Sequence, residues 1–156
     1  MSRLPVQMLL AEDSPSDADL ILASMANEGY AGAIHVVHDG VEALDFVFCR
    51  GDYADRDQAP RLRVIVLDVK LPKVDGFEVL REVKAHERTR SIPVVMLTSS
   101  NIDSDVARGY ELGANSYVQK PVDFERFRRT VRHLGVYWMT MNEQPPSPTL
   151  GDDAAE

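Results

Sequence analysis

Val64-Ile65-Val66-Leu67-Asp68 is the stretch that decides the fold: four consecutive apolar residues, three of them β-branched, ending on an acid. A strand with one wet face alternates apolar and polar side chains. An unbroken apolar run needs cover on both faces, the condition of an inner strand in a parallel sheet. Four further short runs are Val6-Gln7-Met8-Leu9-Leu10, Ile34-His35-Val36-Val37, Pro93-Val94-Val95-Met96-Leu97 and Ser116-Tyr117-Val118. The segments between them have helical spacing. Ser14-Pro15-Ser16-Asp17 offers an N-cap, a proline at the first helical position and an acid three residues after the cap; Ile21, Leu22 and Met25 form a stripe and Gly29 a stop. Helices are predicted also over 40–49, 76–87, 103–112 and 123–138. In the last, Phe124, Phe127, Val131 and Leu134 recur every three or four residues, which predicts one buried face. Five such alternations imply right-handed crossovers, and so an α/β fold: a doubly wound five-stranded parallel sheet with five helices.

The 156 residues suffice for one domain with a real core. A composition 44% hydrophobic and 27% charged is that of a globular chain rather than a disordered or fibrous one. The net charge of −8 argues against coating nucleic acid or anionic lipid, which need a positive field. Glu143, Asp152, Asp153 and Glu156 carry half of that charge near the C-terminus, so the remainder is only mildly acidic. One cysteine, Cys49, and the lack of a secretory signal in Met1-Ser2-Arg3-Leu4-Pro5 suggest a cytoplasmic location, and no apolar run reaches membrane-spanning length. Residues 50–63, polar and holding Gly51 and Pro60, read as an inserted loop. Residues 1–141 are expected to form the domain, and 142–156, with Pro145, Pro146 and Pro148 among acids, a flexible tail. A transcription factor is not expected, since no second domain fits after the last helix.

In open α/β sheets function gathers beyond the carboxyl ends of the strands. There the sequence has Glu12 and Asp13 after the first strand, Asp68 after the third, Thr98 at the end of the fourth and Lys120-Pro121 after the fifth. Three acids brought together repel one another unless a cation compensates, and oxygen donors suit Mg²⁺, which takes one or two carboxylates plus a phosphate oxygen. Asp68 can then serve as the nucleophile in phosphoryl transfer, with Lys120 neutralising charge and Thr98 donating a hydrogen bond. Each signal alone is a common surface feature. Their coincidence at the same end of four strands is not.

The sequence resembles the receiver domains of two-component response regulators over roughly residues 5–138. The resemblance rests on Ala11-Glu12-Asp13-Ser14-Pro15, His38-Asp39-Gly40-Val41-Glu42-Ala43-Leu44, Leu67-Asp68-Val69-Lys70-Leu71-Pro72-Lys73-Val74-Asp75-Gly76-Phe77, Leu97-Thr98-Ser99-Ser100, Gly113-Ala114 and Tyr117-Val118-Gln119-Lys120-Pro121-Val122. It implies a flavodoxin-like fold and phosphorylation of Asp68 by a histidine kinase. Mg²⁺ would be held by Asp13, Asp68 and the backbone carbonyl of Lys70, with Glu12 assisting through water. Thr98 and Lys120 would contact the phosphoryl oxygens, and Thr98 with Tyr117 would form the switch pair. Lys70 and Ser100 occupy positions associated in the family with phosphate lifetime. The loop over 50–63 and the ending Leu134-Gly135-Val136-Tyr137-Trp138-Met139-Thr140-Met141 are similar to the single-domain regulators that serve phytochrome-type histidine kinases.

Two rival functions share parts of this pattern. Aspartyl phosphatases of the haloacid-dehalogenase type need a second Asp two residues after the nucleophile, where this chain has Lys70; a degenerate adaptor would lack part of the acid, Thr and Lys set. His35, His38, His86 and His133 are scattered and read as surface or structural groups, and Cys49 as a small buried side chain at a helix end. Arg126, Arg128, Arg129 and Arg132 read equally as a solvated helix face and as a contact for an acidic partner. Tyr137, Trp138, Met139 and Met141 are more apolar groups than one helix face needs; they either pack on the domain itself or form a homodimer contact, in which case Trp138→Ala lowers the solution mass without unfolding.

Overall fold

A computed structural model describes residues 5–56 and 62–146. Its strands are β1 (Met8–Ala11), β2 (Ile34–Val37), β3 (Val64–Leu67), β4 (Val94–Thr98) and β5 (Ser116–Gln119), all parallel, in the order β2-β1-β3-β4-β5. The connecting helices are α1 (Pro15–Ala26), α2 (Gly40–Val47), α3 (Gly76–Ala85) and α4 (Asp103–Glu111), and α5 (Phe124–Val136) follows β5. The doubly wound architecture is therefore as expected, and β3 lies at its centre between β1 and β4.

The apolar run of β3 divides between two layers. Ile65 and Leu67 join Leu9, Ala11, Val94 and Met96 against Phe46 of α2 and Leu80 and Val83 of α3. Val64 and Val66 join Met8, Leu10, Val95 and Leu97 against Ile21 and Met25 of α1 and Phe127 and Val131 of α5. Full burial of each such side chain contributes roughly 1.5–3 kcal/mol before conformational entropy is counted. Local signals fix the helix starts. Ser14 caps α1 by accepting from the Asp17 N–H, and Asp39, Asp75 and Asp123 do the same for α2, α3 and α5, each cap being worth about 1 kcal/mol.

Several boundaries and one buried face differ from expectation. The last helix ends at Val136, and Tyr137–Met141 form a π-helical turn. That wider turn carries Trp138 and Met139 onto the α1/α5 layer, where both are buried, while Tyr137 and Met141 stay exposed. Trp138 is thus a core residue, and its replacement by Ala would not leave the fold intact. Phe124, expected on the buried face, is 60% exposed: it is the first residue of α5, beyond the edge of the layer that Phe127 enters, and the Arg128 guanidinium lies 6.0 Å from its ring centre. Helix α2 stops at Val47, before the half-buried Cys49, which has a φ of 54°. In the inserted loop Gly51–Tyr53 form a 3-10 turn, and 57–61 lie outside the described residues. Of the expected tail, 142–146 have no regular structure and 147–156 lie outside the described residues. Among the described residues no helix is long and apolar enough to cross a membrane.

Candidate functional site

The strand order reverses between β1 and β3: the crossover from β1 leads outward to β2 and the next returns past β1 to β3, so a crevice opens beyond the carboxyl ends of β1 and β3. Backbone hydrogen bonds carry the ladder one residue past β1, β3 and β5. Glu12 N–H donates to Val37 O (3.0 Å), Asp68 N–H to Ala11 O (3.1 Å) and Lys120 N–H to Thr98 O (2.7 Å). The rim residues are therefore fixed by the sheet rather than carried on free loops.

Glu12, Asp68, Thr98 and Lys120 are all buried, which is unusual for charged side chains unless they are paired. The pairing is direct. Lys120 Nζ lies 2.8 Å from Asp68 Oδ2, 2.5 Å from Glu12 Oε1 and 2.9 Å from Asp17 Oδ2. Asp17 is the residue that the sequence reading missed: it appeared there only as an acid in a helix first turn. Burial pushes the Glu12 carboxyl up to about 7; the Lys120 hydrogen bond and charge oppose this, and Asp68 adds to it. For Lys120, burial alone would lower the ammonium pKa, but its bonds to Asp68, Glu12 and Asp17 outweigh burial and hold it above the usual value.

One carboxylate oxygen from each of Glu12, Asp13 and Asp68 lies within 4.8 Å of the other two, and Asp13 is exposed. With Asp17 these acids exceed the single Lys120 charge, so an open cluster of hard oxygen donors retains a negative surplus. That is the chemistry of a divalent-cation site. The Lys70 side chain is exposed, and its backbone N–H donates to Asp68 Oδ1 (3.2 Å). Behind it Gly76 brings the start of α3 against β3: a Cβ there would stand 2.1 Å from the Asp68 carbonyl oxygen, so only glycine permits the approach.

Thr98 is fully buried at the end of β4, and its Oγ1 accepts weakly from Ser100 N–H (3.4 Å). Tyr117 is half-buried, and its hydroxyl donates to Ser100 O (2.9 Å). The Ser100 hydroxyl is bound to Asp105 Oδ2 at the start of α4 (2.6 Å). Thr98, Ser100, Tyr117 and α4 thus form one connected group beside Asp68. Three of the four scattered histidines have structural partners: His35 meets Tyr53, His38 meets Glu12 O and His86 meets Glu82 O.

Residues 8–132 match the family of response regulator receiver domains. The chain belongs to that family. This membership leaves the haloacid-dehalogenase alternative without support. Among its relatives, the probable methanogenesis regulatory protein FilR2 of Methanothrix harundinacea (strain 6Ac) is 42% identical over 141 residues, 90% of this chain and 88% of its own. Response regulator Rcp1 of Synechocystis is 34% identical over 138 residues, 88% of this chain and 92% of its own. The crystal structure of the Mn²⁺-bound form of Rcp1 aligns with a TM-score of 0.83 at 33% identity, covering 91% of this chain and all of the other. That of the phosphorylated cyanobacterial phytochrome response regulator RcpA gives 0.83 at 32% identity, covering 92% and all of the other. The receiver is thus related to phytochrome response regulators, and its five-stranded sheet has the flavodoxin-like topology of these neighbours.

Proposed function

We propose that this receiver takes a phosphoryl group from a histidine kinase onto Asp68 and signals through the Thr98–Tyr117 group. The observation that carries the reading is the Lys120 ammonium held against Asp68 and Glu12, with Asp13 open to solvent beside them. In the reaction one Asp68 oxygen forms a bond to phosphorus as the phosphorus–nitrogen bond of the donor phosphohistidine breaks. Asp13, Asp68 and the Lys70 carbonyl, with Glu12 acting through water, would hold Mg²⁺, which would supply positive charge against the transferring group. Lys120, Nζ already on Asp68, neutralises phosphoryl oxygens, and Thr98 donates its hydroxyl to one of them. Recruiting Thr98 loosens its link to Ser100 and frees Tyr117 to turn inward, which alters the surface near α4.

The similarity to Rcp1 and RcpA supports a phytochrome-type kinase as the partner. Exposed Tyr137 and Met141 support a homodimer contact next to the α5 end, the acidic charge speaks against nucleic-acid binding, and a histidine kinase as phosphoryl donor would place its action in the cytoplasm. Residues 1–141 would act as the receiver, with 142–156 as an acidic extension. The test is incubation with acetyl phosphate and Mg²⁺, read by intact mass. The parent should gain one phosphoryl group and Asp68→Asn none; an unmodified parent, or a gain retained in Asp68→Asn, would refute the assignment.

A further inference from the structure

The inserted segment contributes nothing to the chemistry above, yet Tyr53 from its 3-10 turn is tied to the acidic rim by an unbroken series of hydrogen bonds. The Tyr53 hydroxyl donates to Glu42 Oε2 (2.8 Å), and the other oxygen of that carboxylate, Oε1, accepts the backbone N–H of His38 (3.0 Å). The His38 ring then reaches back to the chain at β1: its Nδ1 lies 3.1 Å from the Glu12 carbonyl oxygen. A carbonyl can only accept, so Nδ1 carries the proton. The same peptide neighbourhood is held from the other side by Glu12 N–H on Val37 O. The backbone leading into Asp13 is therefore clamped at both polar groups of Glu12, and the outer jaw of the clamp is set by Tyr53 through Glu42.

Tyr53 is itself held firmly. Its one proton is committed to Glu42, so His35 Nε2, at 2.9 Å, must donate to the phenol oxygen. The His35 ring stacks on Phe46 (centroids 4.5 Å apart), Tyr53 packs edge-on against both rings, and the Arg56 guanidinium lies 4.0 Å over Phe46. Rings locked in this way lose little further entropy when they fix a hydrogen bond.

We infer that Tyr53 is a positioning residue for the divalent-cation site: the insertion presets the Glu12–Asp13 backbone, through Glu42 and His38, in the geometry that binds the ion. This rests on the metal-site reading above. Partners one step behind metal ligands typically change affinity about 10–100-fold when removed. His38→Ala, which removes the group bonded to the Glu12 carbonyl, should reach the lower end of that range, and Tyr53→Phe, further out through Glu42, should weaken binding by a smaller factor of about 3–5.

The experiment is titration of the unphosphorylated full chain with Mn²⁺ alone, read by electron paramagnetic resonance, with urea unfolding measured alongside. Asp13→Asn identifies the site. Thr89→Val serves as the stability control, because Thr89 is buried before β4 at the opposite end of the sheet and donates to Val83 O (2.6 Å). The expected result is Mn²⁺ affinity roughly tenfold lower in His38→Ala, lowered by a smaller factor of about 3–5 in Tyr53→Phe, and unchanged in Thr89→Val. Parent-like affinity in Tyr53→Phe or in His38→Ala would overturn the inference, as would an equal loss in Thr89→Val, which would make the effect one of general stability. A parent that binds no Mn²⁺, or binds it undiminished in Asp13→Asn, would overturn the site reading itself and the inference with it.

Discussion

Replacing Lys120 by Met keeps an unbranched side chain of similar length but removes the charge that three carboxylates share. One ion pair at 4 Å in an effective dielectric of about 20 is worth about 4 kcal/mol before desolvation. Here three oxygens lie within 2.5–2.9 Å of one buried ammonium. The Asp17 share must be discounted, since that carboxylate is about one-third exposed and is screened by water. The Glu12 and Asp68 carboxylates are less than one-tenth exposed, and stranding them should cost about 3–5 kcal/mol at neutral pH, the usual consequence of breaking a buried pair from one side. Urea unfolding of parent and variant gives this difference directly. A divalent cation can replace part of the missing charge, so Mg²⁺ should stabilise Lys120→Met more than it stabilises the parent; a site filled at a hundred times its Kd gains about 2.7 kcal/mol. An unchanged urea midpoint, or equal Mg²⁺ stabilisation of both proteins, would refute the electrostatic account of the site.

Trp138→Ala should destabilise the fold by about 3–5 kcal/mol, because Trp138 fills the α1/α5 layer; a urea midpoint within error of the parent's would show that the π-helical turn does not anchor there. Burial lowers the His35 pKa from 6.5, so the His35 contribution to stability should be lost as pH falls through the ordinary histidine range, about pH 7.5 to 5.5, while the Glu12 carboxyl, pushed up to about 7, adds stability over that range. With the folded pKa of His35 depressed, the unfolded chain takes up the proton first as pH falls, so this stability is present above the unfolded value and lost below it. The stability difference between the parent and His35→Gln should therefore move against the parent as pH falls, and an identical pH dependence in both proteins would refute a His35 contribution.

Much of the scaffold was legible because it depends on local pattern. The Val64–Leu67 run demanded two-sided cover, and the turn from Ser14 to Asp17 carried its own cap. The rim acids, Thr98 and Lys120 were legible because parallel topology places every strand end at one edge. What stayed hidden depends on distance in sequence or on fine geometry. Asp17 meets Lys120 across 103 residues, and nothing in a helix first turn distinguishes a capping acid from one that reaches another strand end. Phe124 has the periodicity of a core residue but stands at the first position of α5, where periodicity says nothing about how far the underlying layer extends. The π-helical turn at Tyr137 breaks the 3.6-residue register and so takes Trp138 and Met139 where helical spacing would not send them. Tyr53 gave no signal at all: its meaning comes from His35 and Glu42, brought under it by β2 and α2.

The packing of Tyr53 on His35 also bears on solubility. Strand β2 is one edge of the sheet, and an uncovered parallel edge is a template onto which another chain can add. The 3-10 turn sets Tyr53 against His35 of that edge strand and Phe46 of α2, while β5, the opposite edge, has no comparable turn among the described residues. Lengthening a surface connection is thermodynamically cheap, about 0.6 kcal/mol for each doubling, so a chain can acquire such a turn without altering its core. The two edges should then differ in character: the β2 side shielded against strand addition, and the β5 side the one at which self-association begins when the protein is crowded.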